Sequence, residues 1–321
     1  MIPVTLQTLK NLQFTPCGQN PVIKPIDGTP VVADPSLLTP DESPDNRWHL
    51  FCHTILGVYH LDSADGIHFR RVQKICRDAM RPNINKVNGR YCLFFEKTRS
   101  LPAKGMNLIH LAPWHSEIYV TESEDLLTWS KPYPVLTGAK GYEQCGQGSS
   151  LSNPFLLREG DVNRLYFSCG LTFIKDCGFC EPTYVSYAES GRLTSGYVPA
   201  DKPVLCPDKN DPFRNLCSGC LKVYRLRDGY AGIQNGIYEK DGRSHSAIVL
   251  LSSADGLHFT FEKVLLTPGG APWQAQYVYA SHLVQHGSTL RLYFNARNNS
   301  GWLTGRECIG FYEAVLPEEN G

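Results

Sequence analysis

The chain has 321 residues, of which 42% are hydrophobic and 19% charged, a balance typical of a globular protein long enough to bury a core. Basic and acidic residues both number 31, so the net charge is zero. This balance excludes the overall basic field that attracts nucleic acids or anionic membranes.

The N-terminal segment, residues 1–14, lacks the basic and then apolar order of a secretory signal peptide. No run approaches the roughly 18 apolar residues that a membrane-spanning helix needs. We therefore expect a cytoplasmic protein whose partner is a small molecule, with no nucleic acid and no membrane. The sequence leaves the oligomeric state open.

An internal repeat runs through the chain. The phrase SADGIHF begins at Ser63 and returns as SADGLHF from Ser253, with looser copies from Ser123 and Ser190. The four serines are separated by 60, 67 and 63 residues. A period of this size indicates repeated structural units that must be recognised before any local assignment.

Each unit has the same order of predicted elements. An apolar strand comes first, and the five copies in chain order are VVADPSLL, AMRPNINKV, LSNPFLLR, CLKVYRL and VYASHLVQ. A turn, an aromatic strand, a third strand, an Asp-Gly-type turn and a short edge strand follow. Long helical periodicity is nearly absent, which excludes a helical solenoid, and a β-sandwich would not produce the repeat.

The pattern predicts an all-β fold, a five-bladed β-propeller with four antiparallel strands per blade. We expect a single domain over residues 1–321, with blades at roughly 28–75, 76–140, 141–206, 207–268 and 269–317. A strand before Val31 is expected to close the ring.

In a propeller, the first strand of each blade lines the central channel, and its start lies near the end of the second strand. One face therefore collects polar residues from several blades: Asp34, Arg81, Asn83 and Asn153 from first strands, and His53, Glu96 and Arg297 from second strands. Convergent polar groups in a concave site are typical of ligand binding.

Several of these residues have an alternative, purely structural explanation. Asp34 lies in an apolar strand, where an unpaired carboxylate is costly, so it either pairs with an arginine or takes part in chemistry. Arg81 and Arg297 are suited to clamp a carboxylate or phosphate, or to neutralise acids of the channel. Trp114, in an insertion over the same face, is suited to stack on a sugar ring or to pack in a loop.

The 12 cysteines include two C-x2-C pairs, Cys177 with Cys180 and Cys217 with Cys220. Two such pairs are the ligand set of a tetrahedral structural zinc site, although the gap between them is longer than in zinc ribbons. Reduced thiols and disulfides are the alternatives.

The chain resembles the five-bladed propeller glycosidases, namely glycoside hydrolase families 43, 32 and 130. The residues that carry the resemblance are ADP at 33–35, RPNINKVNGRYCLFF at 81–95 and the SADG-type phrases. It covers nearly the whole chain and implies the fold more specifically than the chemistry.

In family 43 an aspartate before the blade-one proline is the general base, which matches Asp34. A second aspartate follows the blade-two proline, where this chain has Asn83. A glutamate at the entry to blade three is the general acid, but this strand, SSLSNPF, has no acid. The remaining candidates are Glu143, a few residues upstream, and Glu96.

The resemblance implies a glycoside hydrolase that uses two carboxyl groups on a small oligosaccharide or glycoside and requires no cofactor. In an inverting enzyme the two groups lie about 6.5–9.5 Å apart. A glycoside phosphorylase is one alternative, with Arg81 or Arg297 holding inorganic phosphate, although the Asp-Pro-Arg phrase associated with family 130 does not occur. A non-catalytic carbohydrate-binding propeller is the other. The sugar, the linkage and the stereochemical outcome stay open.

Overall fold

The computed structural model describes residues 4–98, 113–138, 140–145, 148–176, 178–301 and 303–317, with the backbone alone for 143–145. The fold is the predicted five-bladed β-propeller, in which five antiparallel sheets surround a central channel. Within these ranges, no helix combines the length and apolar character that a membrane crossing needs.

The chain starts with helix α1 (Leu6–Asn11) and strand β1 (Thr15–Pro16). Blade one contains β2 (Ala33–Leu38), β3 (Trp48–Thr54), β4 (Gly57–Ser63) and β5 (Arg70–Cys76). Blade two contains β6 (Ala79–Val87), β7 (Arg90–Thr98), β8 (Trp114–Ser123) and β9 (Tyr133–Leu136), and the short strands β10 (Gln144–Cys145) and β11 (Gly148–Ser149) extend it beside β8.

Blade three contains β12 (Leu151–Glu159), β13 (Val162–Cys169), β16 (Tyr184–Ser190) and β17 (Val198–Pro199), with a hairpin of β14 (Thr172–Ile174) and β15 (Phe179–Glu181) inserted between its second and third strands. Blade four contains β18 (Cys217–Arg225), β19 (Tyr230–Lys240), β20 (Arg243–Ser253) and β21 (Thr260–Leu266). Blade five contains β22 (Tyr277–His286), β23 (Thr289–Arg297) and β24 (Glu307–Val315). Single 3-10 turns cover Pro40–Glu42, Gly141–Glu143 and Pro272–Gln274.

The first strand of every blade carries a β-bulge at the same place. The pairing register with the second strand shifts between Ala33/Ser36, Met80/Asn83, Ser152/Phe155, Cys217/Cys220 and Val278/Ser281. Bulges re-aim side chains and bend the strand that carries them. The propeller therefore has one position per blade whose side chain is turned out of the regular pleat.

Three of the five bulges hold a non-glycine residue with positive φ, at Asp34 (54°), Arg81 (52°) and Asn153 (48°). Each precedes a proline, which further restricts its backbone. Blade four has Gly219 there, where an added Cβ would lie 1.9 Å from the carbonyl oxygen of Asn235. A non-glycine residue in this region costs about 1–2 kcal/mol, and such strain is concentrated at functional sites.

The repeated SADG phrase forms a turn that fastens one blade to the preceding one. In blade four, the Ser253 hydroxyl accepts the backbone N–H of Gly256 (2.9 Å). The Gly256 carbonyl then accepts the hydroxyl of buried Tyr166 in blade three (2.6 Å). Blade one repeats the contact, with Gly66 accepting from Tyr293 of blade five (2.7 Å). We call residues 63–66 and 253–256 the docking turns.

The N-terminal segment closes the ring. Strand β1 pairs antiparallel with β24 and becomes the outermost strand of blade five, which confirms the expected strand before Val31. The side-chain amide of Asn20 continues this edge, because it donates to the Phe311 carbonyl (2.8 Å) and accepts the Phe311 N–H (3.0 Å). The last blade is thus built from both ends of the chain.

Candidate functional site

One end of the central channel opens into a cavity of about 200 Å³, which we call the funnel cavity. All five blades contribute to its wall. The polar residues that line it are Asp34 and His53 from blade one, Arg81 from blade two, Asn153 and Glu181 from blade three, Asn235 from blade four, and Asn295, Arg297 and Glu307 from blade five. The three bulge residues with positive φ are all in this set, so the strained backbone points their side chains to one place.

Asp34 is held from two sides. Its backbone N–H donates to Oδ1 of Asn295 (3.2 Å), and its Oδ2 lies 3.4 Å from Nδ1 of His53. Burial raises the pKa of Asp34 above its ordinary value, while the positive charges of Arg81 and Lys222 oppose this rise. The carboxyl group is therefore buried in a cavity yet faced by two cations.

Arg81 forms an ion pair with Glu96, whose carboxylate also accepts the indole N–H of Trp114 (3.1 Å). The Glu96 side chain is completely buried and is not part of the cavity wall. A buried carboxylate with two donors is well satisfied. This arrangement makes Glu96 the group that holds Arg81 at the cavity, with its two carboxylate oxygens already engaged.

Glu181 was not anticipated from the sequence. It ends strand β15 of the inserted hairpin and lies two residues after Phe179, so both side chains point to the same face and line the funnel cavity. Among the described residues, none forms a hydrogen bond or ion pair with its carboxyl group. Burial raises the pKa of Glu181 to about 7; Arg81 and Arg297 oppose the rise, and the charges of Glu307 and Asp34 add to it.

Glu307 is the third acid of the wall and contrasts with Glu181. Its carboxylate accepts Nη1 of Arg297 (3.2 Å) and Nδ2 of Asn295 (3.2 Å). Arg297 also donates to the carbonyls of Asn299 and Gly301, so each of its three guanidinium nitrogens donates a hydrogen bond. Burial raises the pKa of Glu307, and Arg297 counters that effect. These bonds give Glu307 a fixed structural partner.

Five of the residues expected on this face line the funnel cavity: Asp34, His53, Arg81, Asn153 and Arg297. Asn83 does not. Its side-chain oxygen accepts the backbone N–H of Leu156 (3.0 Å), which joins blade two to blade three, and it lines the opposite end of the channel. The bulge explains the displacement, because it places Arg81, and not Asn83, at the position equivalent to Asp34.

Trp114 also lies elsewhere than expected. It is part of β8, its indole N–H donates to Glu96 and to Ser116 (3.2 Å), and it is not part of the cavity wall. Trp114 therefore helps to hold the carboxylate of Glu96, which in turn pairs with Arg81. The side chain of Glu143 lies outside the described residues, so its predicted role as an acid stays a prediction.

The four cysteines that were predicted to bind zinc lie in different surroundings. Cys180 and Cys220 line the funnel cavity, whereas Cys217 is buried among Ile174, Ile237 and Tyr277. Cys177 lies outside the described residues. In the part of the chain that is described, no group of three or more His, Cys, Asp or Glu side chains is arranged to hold a metal ion. Because Cys177 is one of the four predicted ligands, the zinc site stays a prediction.

No protein-family model matches the chain, and no curated protein matches it. Solved structures do match. A glycoside hydrolase aligns over 97% of this chain and 95% of its own, at 11% identity and TM-score 0.68. An N-acetylgalactosamine deacetylase from F. plautii, in complex with blood group B trisaccharide, aligns over 95% of this chain and 96% of its own. Its sequence identity is 15% and the TM-score is 0.65. A β-1,2-mannobiose phosphorylase from Listeria innocua aligns over 94% of this chain and 97% of its own, at 10% sequence identity and a TM-score of 0.65.

At these sequence identities the structural similarity shows the fold alone. It confirms the predicted resemblance to propeller glycosidases in fold. The three neighbours are named for three different reactions, so the chemistry of this chain has to come from its own cavity.

Proposed function

We propose that the protein is a glycoside hydrolase that acts on a small oligosaccharide or glycoside, with Glu181 as general acid and Asp34 as the second carboxylate. One observation carries the proposal. The same cavity holds two buried carboxyl groups with different contacts: Asp34 lies 3.4 Å from Nδ1 of His53, whereas Glu181 has no bonded partner among the described residues and a pKa that burial raises to about 7. A carboxyl group that is protonated near neutral pH can act as general acid, and the carboxyl group with an ionic partner then takes the second role.

The chemistry follows from these states. Near neutral pH the protonated Glu181 donates its proton to the glycosidic oxygen as the bond to the anomeric carbon breaks. Asp34 acts in its ionised form, in which it either activates a water molecule, which gives inversion, or attacks the anomeric carbon itself, which gives retention. Phe179 and Tyr279 supply aromatic wall on which a sugar ring can stack.

The size of the site favours a short substrate. A cavity of about 200 Å³ is smaller than the roughly 300–1,000 Å³ of sites for drug-sized ligands, so it suits one terminal sugar residue. The fold shared with proteins that were solved with bound saccharides supports a carbohydrate as ligand. Hydrolysis of a terminal residue is therefore the form of the reaction that we propose.

The phosphorylase alternative has less support. Phosphate would have to bind beside Arg81 and Arg297, and the charges of these two cations are already compensated by Glu96 and by Glu307. A binding-only propeller would have no need of a glutamate in the funnel cavity that has a raised pKa and, within the described part of the chain, no bonded partner, because such a group is costly to bury.

The test is a leaving-group experiment with Glu181→Gln. Wild-type protein is screened on nitrophenyl glycosides and on oligosaccharides, with and without inorganic phosphate. Loss of a general acid should lower kcat/KM by about 10²–10⁴ on substrates with alkyl leaving groups and much less on nitrophenyl glycosides, which leave without protonation. The exposed Glu239→Gln is the matched control and should leave both rates unchanged.

Equal losses on both substrate types would contradict the assignment of Glu181 as the acid. A wild-type rate that depends on phosphate would establish the phosphorylase instead. Saccharide binding with no turnover of any glycoside would establish the binding protein.

A further inference from the structure

The inserted hairpin that carries Glu181 is attached to the propeller at its base. The backbone N–H of Gly219 in blade four donates to the Pro182 carbonyl (3.1 Å), and the hydroxyls of Thr172 and Thr183 share a hydrogen bond (2.8 Å). Beyond this base, β14 and β15 form a separate two-stranded sheet. An isolated two-stranded hairpin is marginally stable at best, so its position depends on what holds its tip.

The tip is held by Asp176, in the turn between β14 and β15. Its Oδ2 accepts both the backbone N–H and the hydroxyl of Ser244 in blade four, each at 2.9 Å. The Ser244 hydroxyl also bonds the hydroxyl of Tyr277 in blade five (2.9 Å). Because Ser244 gives its only proton to Asp176, Tyr277 is the donor in this bond. The tip is thus tied to a hydrogen-bonded chain that reaches two blades.

The partners of Asp176 are rigid and the aspartate itself is not packed. Ser244 is 3% exposed and Tyr277 2% exposed, whereas Asp176 lies at the surface. Burial raises the pKa of Asp176, but the bonds from Ser244 and the charge of His245 outweigh this effect, so its pKa lies below the ordinary value. The carboxylate is therefore ionised near neutral pH and accepts charge-assisted hydrogen bonds.

Between tip and base, the hairpin lies against blade five. Ile174 is buried in one cluster with Tyr277, and the ring centroid of Phe179 lies 5.0 Å from the guanidinium carbon of Arg297. Each strand has three residues and is only about 10 Å long, so a tip that comes loose moves Phe179, and Glu181 two residues later, relative to blade five.

We propose that Asp176 is a positioning residue, which holds the hairpin β14–β15 on blades four and five and thereby keeps Glu181 buried in the funnel cavity, without touching the substrate. The inference rests on the proposed role of Glu181 as general acid. It assigns a function to a surface aspartate at the far end of the hairpin from the cavity.

Other groups also act on Glu181 and have to stay in place in a test. The titratable and charged groups that line the cavity with it are Asp34, His53, Arg81, Cys180, Cys220, Arg297 and Glu307. In the described part of the chain, none of them forms a hydrogen bond or ion pair with Asp176. Replacing Asp176 therefore removes no direct contact of theirs.

The experiment compares Asp176→Ala with Asp176→Asn, which keeps an oxygen that can accept from Ser244. The carboxyl carbons of glutamate are labelled with ¹³C, and the Glu181 signal is assigned by its loss in Glu181→Gln. We expect the Glu181 pKa to fall by about one unit in Asp176→Ala, because a loosened hairpin admits water to the carboxyl group, and to stay near the wild-type value in Asp176→Asn. Asp161→Ala, at an exposed site between β12 and β13, is the matched control and should change nothing.

The pH profile is the second readout. A general acid must be protonated, so kcat/KM falls as pH rises through the Glu181 pKa, and in Asp176→Ala this alkaline limb should move to lower pH by the same amount. A Glu181 titration that is the same in Asp176→Ala and wild type would overturn the inference, and so would a shift that Asp176→Asn does not reverse.

The two proposals fail separately. If the Glu181 signal shifts in Asp176→Ala and returns in Asp176→Asn, but the wild type turns over no glycoside, Asp176 does position Glu181 and the glycosidase proposal is wrong. If the wild type is an active glycosidase and the Glu181 titration ignores Asp176, only the positioning role is wrong.

Discussion

Glu181 and Glu307 lie in the same cavity, and their difference shows how neighbours decide the behaviour of a buried acid. Glu307 has an arginine and an asparagine bonded to its carboxylate, so its charge is compensated. Glu181 has no bonded partner among the described residues, and its pKa of about 7 lies well above the ordinary 4.5. Between these two values the folded protein binds a proton at Glu181 that the unfolded chain has released.

The contribution of Glu181 to the stability of the wild type should therefore fall as pH rises from 4.5 to 7, and Glu181→Gln should remove that contribution. The sign follows because the folded state binds more protons in this window, so each step to higher pH favours unfolding. Relative to wild type, the variant should gain about 2–3 kcal/mol between pH 4 and pH 8. The free energy of unfolding in urea at both pH values gives the measurement.

Glu124→Gln, at an exposed site in the blade-two turn, is the control, and it should follow the wild-type pH dependence. If Glu181→Gln and Glu124→Gln behave alike, Glu181 is not protonated in the folded protein near neutrality, and its role as an acid would lose its physical basis.

At the level of elements, the docking turns depend on a glycine for two separate reasons. Gly256 has a φ of +74°, which strains any other residue, and a Cβ there would meet the Tyr166 hydroxyl at 2.9 Å and an Arg164 nitrogen at 3.0 Å. Gly242, in the hairpin between β19 and β20 of the same blade, has the same φ of +74° but nothing within 4 Å of an added Cβ. Replacing each glycine by alanine therefore distinguishes the cost of backbone strain, which both positions share, from the cost of crowding between blades, which only Gly256 has.

We expect Gly256→Ala to destabilise the protein more than Gly242→Ala does. Both variants lose about 1–2 kcal/mol from the left-handed backbone. Gly256→Ala should lose about 1–3 kcal/mol more, because the methyl group pushes Tyr166 away from the carbonyl that it bonds. Chemical denaturation of the two variants measures the difference, and equal losses would mean that the turn does not fasten blade four to blade three.

The same elements explain what the sequence could and could not predict about the site. Asp34, Arg81 and Asn153 were predictable because they belong to the repeating part of each blade and precede a proline. Glu181 belongs to the hairpin β14–β15, which among the described residues occurs in blade three alone, so the repeat assigns it no position. A local signal did exist, since Glu181 precedes Pro182 as Asp34 precedes Pro35. The displacement of Asn83 was hidden because a bulge changes the facing of a side chain without changing the strand pattern.

For the whole molecule, the period near sixty residues was enough to predict the propeller, because each blade can bury its apolar faces only against its neighbours. The funnel cavity depends on that closure, since its wall combines blade one with blade five: Asn295 bonds both the backbone of Asp34 and the carboxylate of Glu307. A loose joint between the first and last blades would separate groups that set the charge of the site.

The joint can be tested at Asn20. Asn20→Ala removes two hydrogen bonds from Phe311, a fully buried residue: its N–H loses the Asn20 acceptor, and its C=O keeps the Cys17 N–H (3.2 Å). We expect a loss of about 2 kcal/mol in the free energy of unfolding, measured in urea. Asn210→Ala, at an exposed position in a loop, should cost little by comparison. Because the joint also positions Asn295 and Asp34, Asn20→Ala should lower saccharide binding at temperatures where the protein is still folded. Unchanged binding together with the stability loss would mean that the cavity keeps its geometry independently of ring closure.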